Sequence, residues 1–141
     1  MNPMNFRRRL AAGMVLGVVF IALEFLVHHV LLKGAYQETA SLWRPKDEIK
    51  NIFGLLIAAE FLFGVLFGIV YAQGYEPRRG PLGQGFRYGL IMGLMLAPLH
   101  SFVWYVILPV PASLCVQWLI AGFAQMVLLG LIASFVYKPA Q

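Results

Sequence analysis

Residues 10–32 of this chain read LAAGMVLGVVFIALEFLVHHVLL, and this stretch decides the fold class. It is long enough for a helix to cross the ~30 Å hydrocarbon core of a bilayer. Three further stretches, at 52–73, 86–108 and 114–137, are similarly apolar. The sequence therefore predicts an all-α protein: an integral membrane four-helix bundle that forms a single transmembrane domain over residues 1–141.

Composition and charge agree with this class and predict an orientation. The chain is 60% hydrophobic and 12% charged, whereas a soluble domain has roughly 25% charged residues. Basic residues mark the cytoplasmic side of a membrane protein. Seven lie with the two termini and the loop 74–85, whereas four lie in the loop 33–51, so both termini are predicted to be cytoplasmic and 33–51 is the outer loop. The seven are Arg7, Arg8, Arg9, Arg78, Arg79, Arg87 and Lys138, and the four are Lys33, Arg44, Lys46 and Lys50. The N-terminal arginines thus indicate topology, and no nucleic-acid partner is predicted.

Glycines recur on one face of each predicted helix, mostly four residues apart. Small residues at this spacing let helix backbones approach closely in lipid, where no hydrophobic force drives helices together. These faces are therefore predicted to meet inside the bundle. The predicted packing glycines are Gly13, Gly17, Gly64, Gly68, Gly85, Gly89, Gly93 and Gly130.

The chain also contains a weak internal repeat. A shift of 76 residues places Gly13 on Gly89 and Glu24 on His100, and a shift of 66 places Gly64 on Gly130. Two helical hairpins in the same orientation would be related by a pseudo-twofold axis along the membrane normal. The predicted bundle is thus built from two parallel-related hairpins.

Polar residues interrupt the apolar segments at one depth. Glu24, Glu60 and His100 each lie about nine residues from the outer end of their helix, roughly 13 Å deep at ~1.5 Å per residue. His28 lies one turn nearer the outer surface, and Gln125 is placed to join from the last helix. Charged side chains at such depth are costly and usually functional. The sequence therefore predicts one shared polar cluster.

Three interpretations of the cluster remain open. The side chains fix helix register through interhelical hydrogen bonds, they relay protons or ions, or they bind a metal or haem. The candidate metal ligands are Glu24, His28, Glu60 and His100, although no cofactor is required by the sequence. No catalytic triad or phosphate-binding loop is recognisable, and no enzymatic activity is expected.

Aromatic residues near the ends of the helices are predicted to form the two interfacial belts of a membrane protein. Trp104, Tyr105 and Trp118 would belong to the outer belt, and Tyr71, Tyr75, Tyr88 and Tyr137 to the inner belt.

Three motifs, at 42–45 (LWRP), 85–90 (GFRYGL) and 108–111 (LPVP), resemble those of small bacterial four-helix inner-membrane proteins of unknown function. The resemblance implies a multi-pass protein of the bacterial inner membrane and carries no activity with it. The leading expectation is an accessory or scaffold subunit, working as a homo-oligomer or with other membrane subunits in the lipid bilayer. A small proton- or ion-coupled transporter or channel is the alternative, and a metal- or haem-binding redox subunit is the third.

Overall fold

A computed structural model describes residues 3–139, so the first two and last two residues of the predicted domain lie outside the described part. The described residues are predominantly helical and contain no strand, which confirms the all-α prediction. The elements in chain order are α1 (Pro3–Phe25), which continues as a π-helical turn (Leu26–Leu31), the short α2 (Lys33–Glu38), a 3₁₀ turn (Ala40–Leu42), α3 (Lys46–Gln73), α4 (Pro81–Ile107) and α5 (Ala112–Val136).

Four helices are long and apolar enough to cross a membrane: Phe6–Leu31, Lys46–Gln73, Pro81–Ile107 and Ala112–Val136. Many large apolar side chains on them point away from the protein; Val106 is 82% exposed and Leu55 is 74% exposed. Exposed apolar surface of this extent is typical of a membrane or partner surface. We call the end of the bundle that carries α2 the α2 end, and the other end the 74–80 end, after the connection between α3 and α4.

The prediction of a loop at 33–51 is wrong in part, because most of this range is helical. It contains α2 and the 3₁₀ turn, and α3 begins at Lys46 rather than at residue 52. The first turn of α3 carries Asp47 and Glu48, and acidic residues there are favoured by the helix dipole. Hydropathy marked only the apolar part of this helix, since its first six residues are mainly polar.

The predicted loop 74–85 is likewise shorter than expected, since α4 begins at Pro81. Proline suits the first turn of a helix because its missing N–H would have no partner there. The buried amide of Gln84 donates to the carbonyl oxygens of Glu76 and Arg79 at 3.0 Å and accepts from the Glu76 N–H at 2.8 Å. One side chain of α4 thereby satisfies the backbone of the connection that precedes it.

Glycine contacts hold each hairpin together. A methyl group in place of a hydrogen on Gly64 would lie 2.6 Å from the Gly17 Cα, and one on Gly68 would lie 2.9 Å from the Gly13 Cα. The α4–α5 hairpin is as close, since a methyl group on Gly130 would overlap the backbone of Gly85. All eight predicted packing glycines make contacts of this kind between helices. The glycine faces therefore meet as predicted, within each hairpin.

The same contacts recur in both hairpins and correct the offset of the repeat. The recurring pairs are Gly13–Gly68, Gly13–Val65 and Gly17–Phe61 in the first hairpin, and Gly89–Gly130, Gly89–Val127 and Gly93–Phe123 in the second. The offset is 76 residues for α1 against α4, as predicted, but 62 rather than 66 for α3 against α5. Gly130 is thus the counterpart of Gly68, not of Gly64. Glycine spacing alone misled here, because a shift of one helical turn places glycine on glycine equally well.

Two apolar cores fill the bundle, one toward each end. The core nearer the 74–80 end includes the fully buried Leu16, Leu129 and Ala133. Tyr71 and Tyr137 belong to this core at 3% and 4% exposure, and Trp118 belongs to the core of the α2 end at 5%. The prediction that these three residues form interfacial belts is therefore wrong. They pack inward because aromatic rings fill the space between helices.

Candidate functional site

The polar cluster lies toward the α2 end, where α1 changes from an α-helix to a π-helix. The Leu32 N–H donates to the Val27 carbonyl at 2.8 Å, five residues back. Single π turns inside helices occur frequently at functional sites. This turn contains His28, and it leads directly into α2, which carries Tyr36 back over the helix ends. Local geometry thus brings a tyrosine of α2 to a histidine of the apolar helix.

A continuous chain of polar side-chain contacts links α1, α2 and α5. The Gln125 amide donates to Glu24 Oε1 at 3.0 Å, and His28 Nε2 lies 3.2 Å from Glu24 Oε2. On its other side, His28 Nδ1 lies 2.6 Å from the Tyr36 hydroxyl oxygen, to which the Trp118 indole N–H donates at 2.7 Å. Five side chains from three helical elements and a π turn therefore form one network.

The donor inventory fixes the direction of the hydrogen bonds from the Trp118 indole and from the Gln125 amide. An indole N–H only donates, so the Tyr36 oxygen accepts from Trp118 and its own O–H is free to donate to His28 Nδ1. When the Tyr36 O–H donates to Nδ1, the proton of His28 lies on Nε2 and faces Glu24 Oε2 at 3.2 Å. The other oxygen of Glu24 accepts a hydrogen bond from Gln125. The Gln125 amide and the His28 imidazole thus both lie against the Glu24 carboxylate.

Glu60 and His100 are brought near this network without joining it. A cavity of about 620 Å³ is lined by Glu60, His100, Glu24 and His28 together. No hydrogen bond or ion pair to Glu60 or His100 is found within residues 3–139, although the His100 ring lies edge-on to Trp118 with centroids 5.9 Å apart. Of the five predicted cluster residues, three are directly bonded and two line the adjoining cavity.

A second, smaller cavity of about 360 Å³ adjoins the same residues. Glu24, His28 and His100 line it as they line the larger one, whereas Gln125 lines only the smaller cavity and Glu60 only the larger. In the described part of the chain, no three His, Cys, Asp or Glu side chains are grouped so as to hold a metal ion. The four candidate metal ligands are therefore neighbours of one cavity rather than a coordination set.

Sequence reasoning missed Tyr36 and Trp118 as members of the network. The sequence places Tyr36 only within the predicted outer loop and Trp118 in a predicted interfacial belt. Their hydrogen bond joins residues 82 positions apart, so no local spacing could indicate it. Trp43 completes this aromatic group, with its ring centroid 5.4 Å from that of Tyr36 and 6.2 Å from that of Trp118. The only available signal was the gathering of aromatic residues near one end of the predicted bundle.

Tyr36 is expected to ionise at a higher pH than an ordinary tyrosine. Burial raises its pKa from 10.0 to about 12; negative charge at Glu24 adds to the rise, and the hydrogen bond from Trp118 opposes it. Because the folded-state pKa is the higher one, Tyr36 stabilises the fold fully below about pH 10, and this stabilisation declines between pH 10 and about 12.

The measurement is the tyrosinate absorbance of the wild type minus that of Tyr36→Phe during a pH titration, with circular dichroism reporting the fold. The Tyr36 component should appear near pH 12. Its appearance near pH 10 in a protein whose helicity is unchanged would contradict the buried position of this hydroxyl.

Comparison of the chain with protein-family models, with curated proteins and with solved structures finds no match. The assignment of a function therefore rests on the geometry of the site.

Proposed function

We propose that this chain is a non-enzymatic, multi-pass protein of a bacterial inner membrane that serves as a scaffold or accessory subunit. Its exposed apolar helix faces would contact lipid, further copies of itself or other membrane subunits. The proposal includes cytoplasmic termini, supported by the greater number of basic residues at the 74–80 end than at the α2 end. The Arg8 guanidinium donates to the Lys138 carbonyl at 3.4 Å, which agrees with both terminal segments lying on one side.

The observation that carries the proposal is the bond between Gln125 and Glu24. These residues belong to different hairpins, and elsewhere the two hairpins touch much less than the helices within each hairpin do. Interhelical hydrogen bonds of this kind fix register in an apolar environment, where packing alone discriminates poorly. A small bundle with a defined hairpin arrangement presents a defined outer surface, as a scaffold requires.

The experiment that tests this proposal measures oligomeric state and ion flux with the same purified protein. In native-lipid particles, we expect the mass of protein in each particle to exceed that of one 15.8 kDa chain. In proteoliposomes with a pH-sensitive dye, proton flux should not exceed that of protein-free liposomes. A monomeric particle combined with rapid, protein-dependent flux would contradict the scaffold role.

One observation favours proton- or ion-coupled transport as a second candidate. The Glu60 carboxylate and the His100 imidazole line the same cavity as the bonded Glu24–His28 pair, an arrangement typical of intramembrane relays. Transport would require that the variant Glu24→Gln/Glu60→Gln lose the flux seen in wild-type proteoliposomes. Full flux in that double variant would eliminate this candidate.

A further inference from the structure

The larger cavity is walled by aromatic rings. It lies at the α2 end between α1, α3, α4 and α5, and Tyr36 of α2 belongs to its lining. A methyl group on Gly54 of α3 would meet nothing within 4 Å, whereas one on Gly64 of the same helix would overlap the backbone of α1. The six aromatic residues that line the cavity, besides its histidines, are Phe25, Tyr36, Trp43, Phe53, Trp104 and Trp118.

The cavity is lined by two carboxylates and three histidines but by no permanently charged cation. Glu24 and Glu60 both line it, and no lysine or arginine does. The Glu24 carboxylate is committed to Gln125 and His28. Glu60, which is half-buried, has no hydrogen-bond or ion-pair partner from residues 3–139. An acidic group in apolar surroundings is unfavourable unless something compensates its charge.

The internal repeat supplies a comparison within the same molecule. With the offset of 62, the counterpart of Glu60 is Gly122, and Gly122 lines the smaller cavity. With the offset of 76, Glu24 and His100 are counterparts, and both line both cavities. The two cavities thus share the repeat-related pair Glu24 and His100, and one carries Glu60 where the other carries its counterpart Gly122. The second hairpin packs with a glycine, Gly122, at the position that Glu60 occupies in the first hairpin. Hairpin packing therefore does not require the carboxylate of Glu60.

We propose that the larger cavity binds an organic monocation that carries aromatic or other apolar groups. Its volume of about 620 Å³ falls within the ~300–1,000 Å³ of small-molecule sites. Tryptophan and tyrosine faces attract cations, and Glu60 supplies the opposite charge. A small metal cation would fit poorly, since it needs several oxygen ligands at close range. This binding goes beyond the scaffold role and does not depend on it.

The test uses tetraphenylphosphonium as the probe and tetraphenylborate as a probe of nearly the same size with the opposite charge. The full-length protein is titrated in detergent micelles, and empty micelles give the background. All three tryptophans of the chain line the cavity, so quenching of tryptophan fluorescence reports its occupancy directly. We expect saturable quenching by tetraphenylphosphonium, with tetraphenylborate at least about tenfold weaker.

Glu60→Gln is the deciding variant, and Glu38→Gln is its matched control, because Glu38 is exposed and lies outside the cavity. We expect Glu60→Gln to weaken tetraphenylphosphonium binding at least about tenfold, and Glu38→Gln to leave it unchanged. Equal affinity of Glu60→Gln and wild type, or equal affinity of the wild type for both probes, would overturn the proposal. The comparison of probes needs no variant and therefore holds even where Glu60→Gln lowers the yield of folded protein.

Discussion

Gly64→Ala should strongly destabilise the bundle, whereas Gly54→Ala on the same helix should not. The added methyl group at Gly64 would lie 2.6 Å from both the Gly17 Cα and the Leu16 carbonyl oxygen. These are backbone atoms, so α1 and α3 must move apart. Overpacking of a tight interface costs about 1–3 kcal/mol, and we expect the upper part of that range because no flexible side chain can yield.

Gly54→Ala is the control: it makes the same replacement on the same helix and differs only in the surroundings of the added methyl group. A methyl group at Gly54 meets nothing within 4 Å, and alanine is favoured over glycine inside a helix by about 0.5–1 kcal/mol. Gly54→Ala should therefore be neutral or slightly stabilising. The measurement is the free energy of unfolding in mixed micelles with increasing sodium dodecyl sulfate. Equal effects of the two variants would contradict the close contact of the glycine faces.

Glu24→Leu is expected to have the second large effect. It removes the acceptor of the Gln125 amide and the carboxylate that lies 3.2 Å from His28 Nε2, so both groups lose their partner within the bundle. Leaving a buried donor unpaired costs about 1–3 kcal/mol. The side chains of Glu24 and His28 are 20% and 27% exposed, and we therefore expect a loss of about 2 kcal/mol in the free energy of unfolding.

Glu60→Leu provides the matched control for Glu24→Leu. It makes the same replacement on the neighbouring helix α3, at a carboxylate that has no partner among the described residues. Removing an unpaired acidic group from apolar surroundings should leave stability unchanged or increase it. A greater loss for Glu60→Leu than for Glu24→Leu would show that the hydrogen-bonded network is not what stabilises this part of the bundle.

The sequence predicted the parts of the fold that depend on local pattern. Apolar length indicated the four long helices, and the spacing of glycines indicated which faces meet, because both signals repeat along a helix. Helix starts were less well predicted. α3 and α4 both begin with residues of low hydropathy, which a helix tolerates and a hydropathy criterion does not include.

The sequence named the polar residues of the apolar helices but did not indicate how they are connected. Matched depth grouped Glu24 with Glu60 and His100, whereas in the structure Glu24 contacts His28 and Gln125. After Phe25 the π turn leads into α2, and both pack against Trp118 of α5. No local spacing in the sequence indicates these contacts. Tyr36 and Trp118 therefore entered the network only when the tertiary structure was known.

The most direct test of the account is a double-mutant cycle between Glu24 and Gln125, which belong to different hairpins. Glu24→Leu, Gln125→Leu and the double variant are compared with the wild type by their free energies of unfolding. We expect a favourable coupling of about 1 kcal/mol, within the range measured for hydrogen bonds between membrane helices. Effects that add to within about 0.3 kcal/mol would contradict the claim that this bond joins the two hairpins.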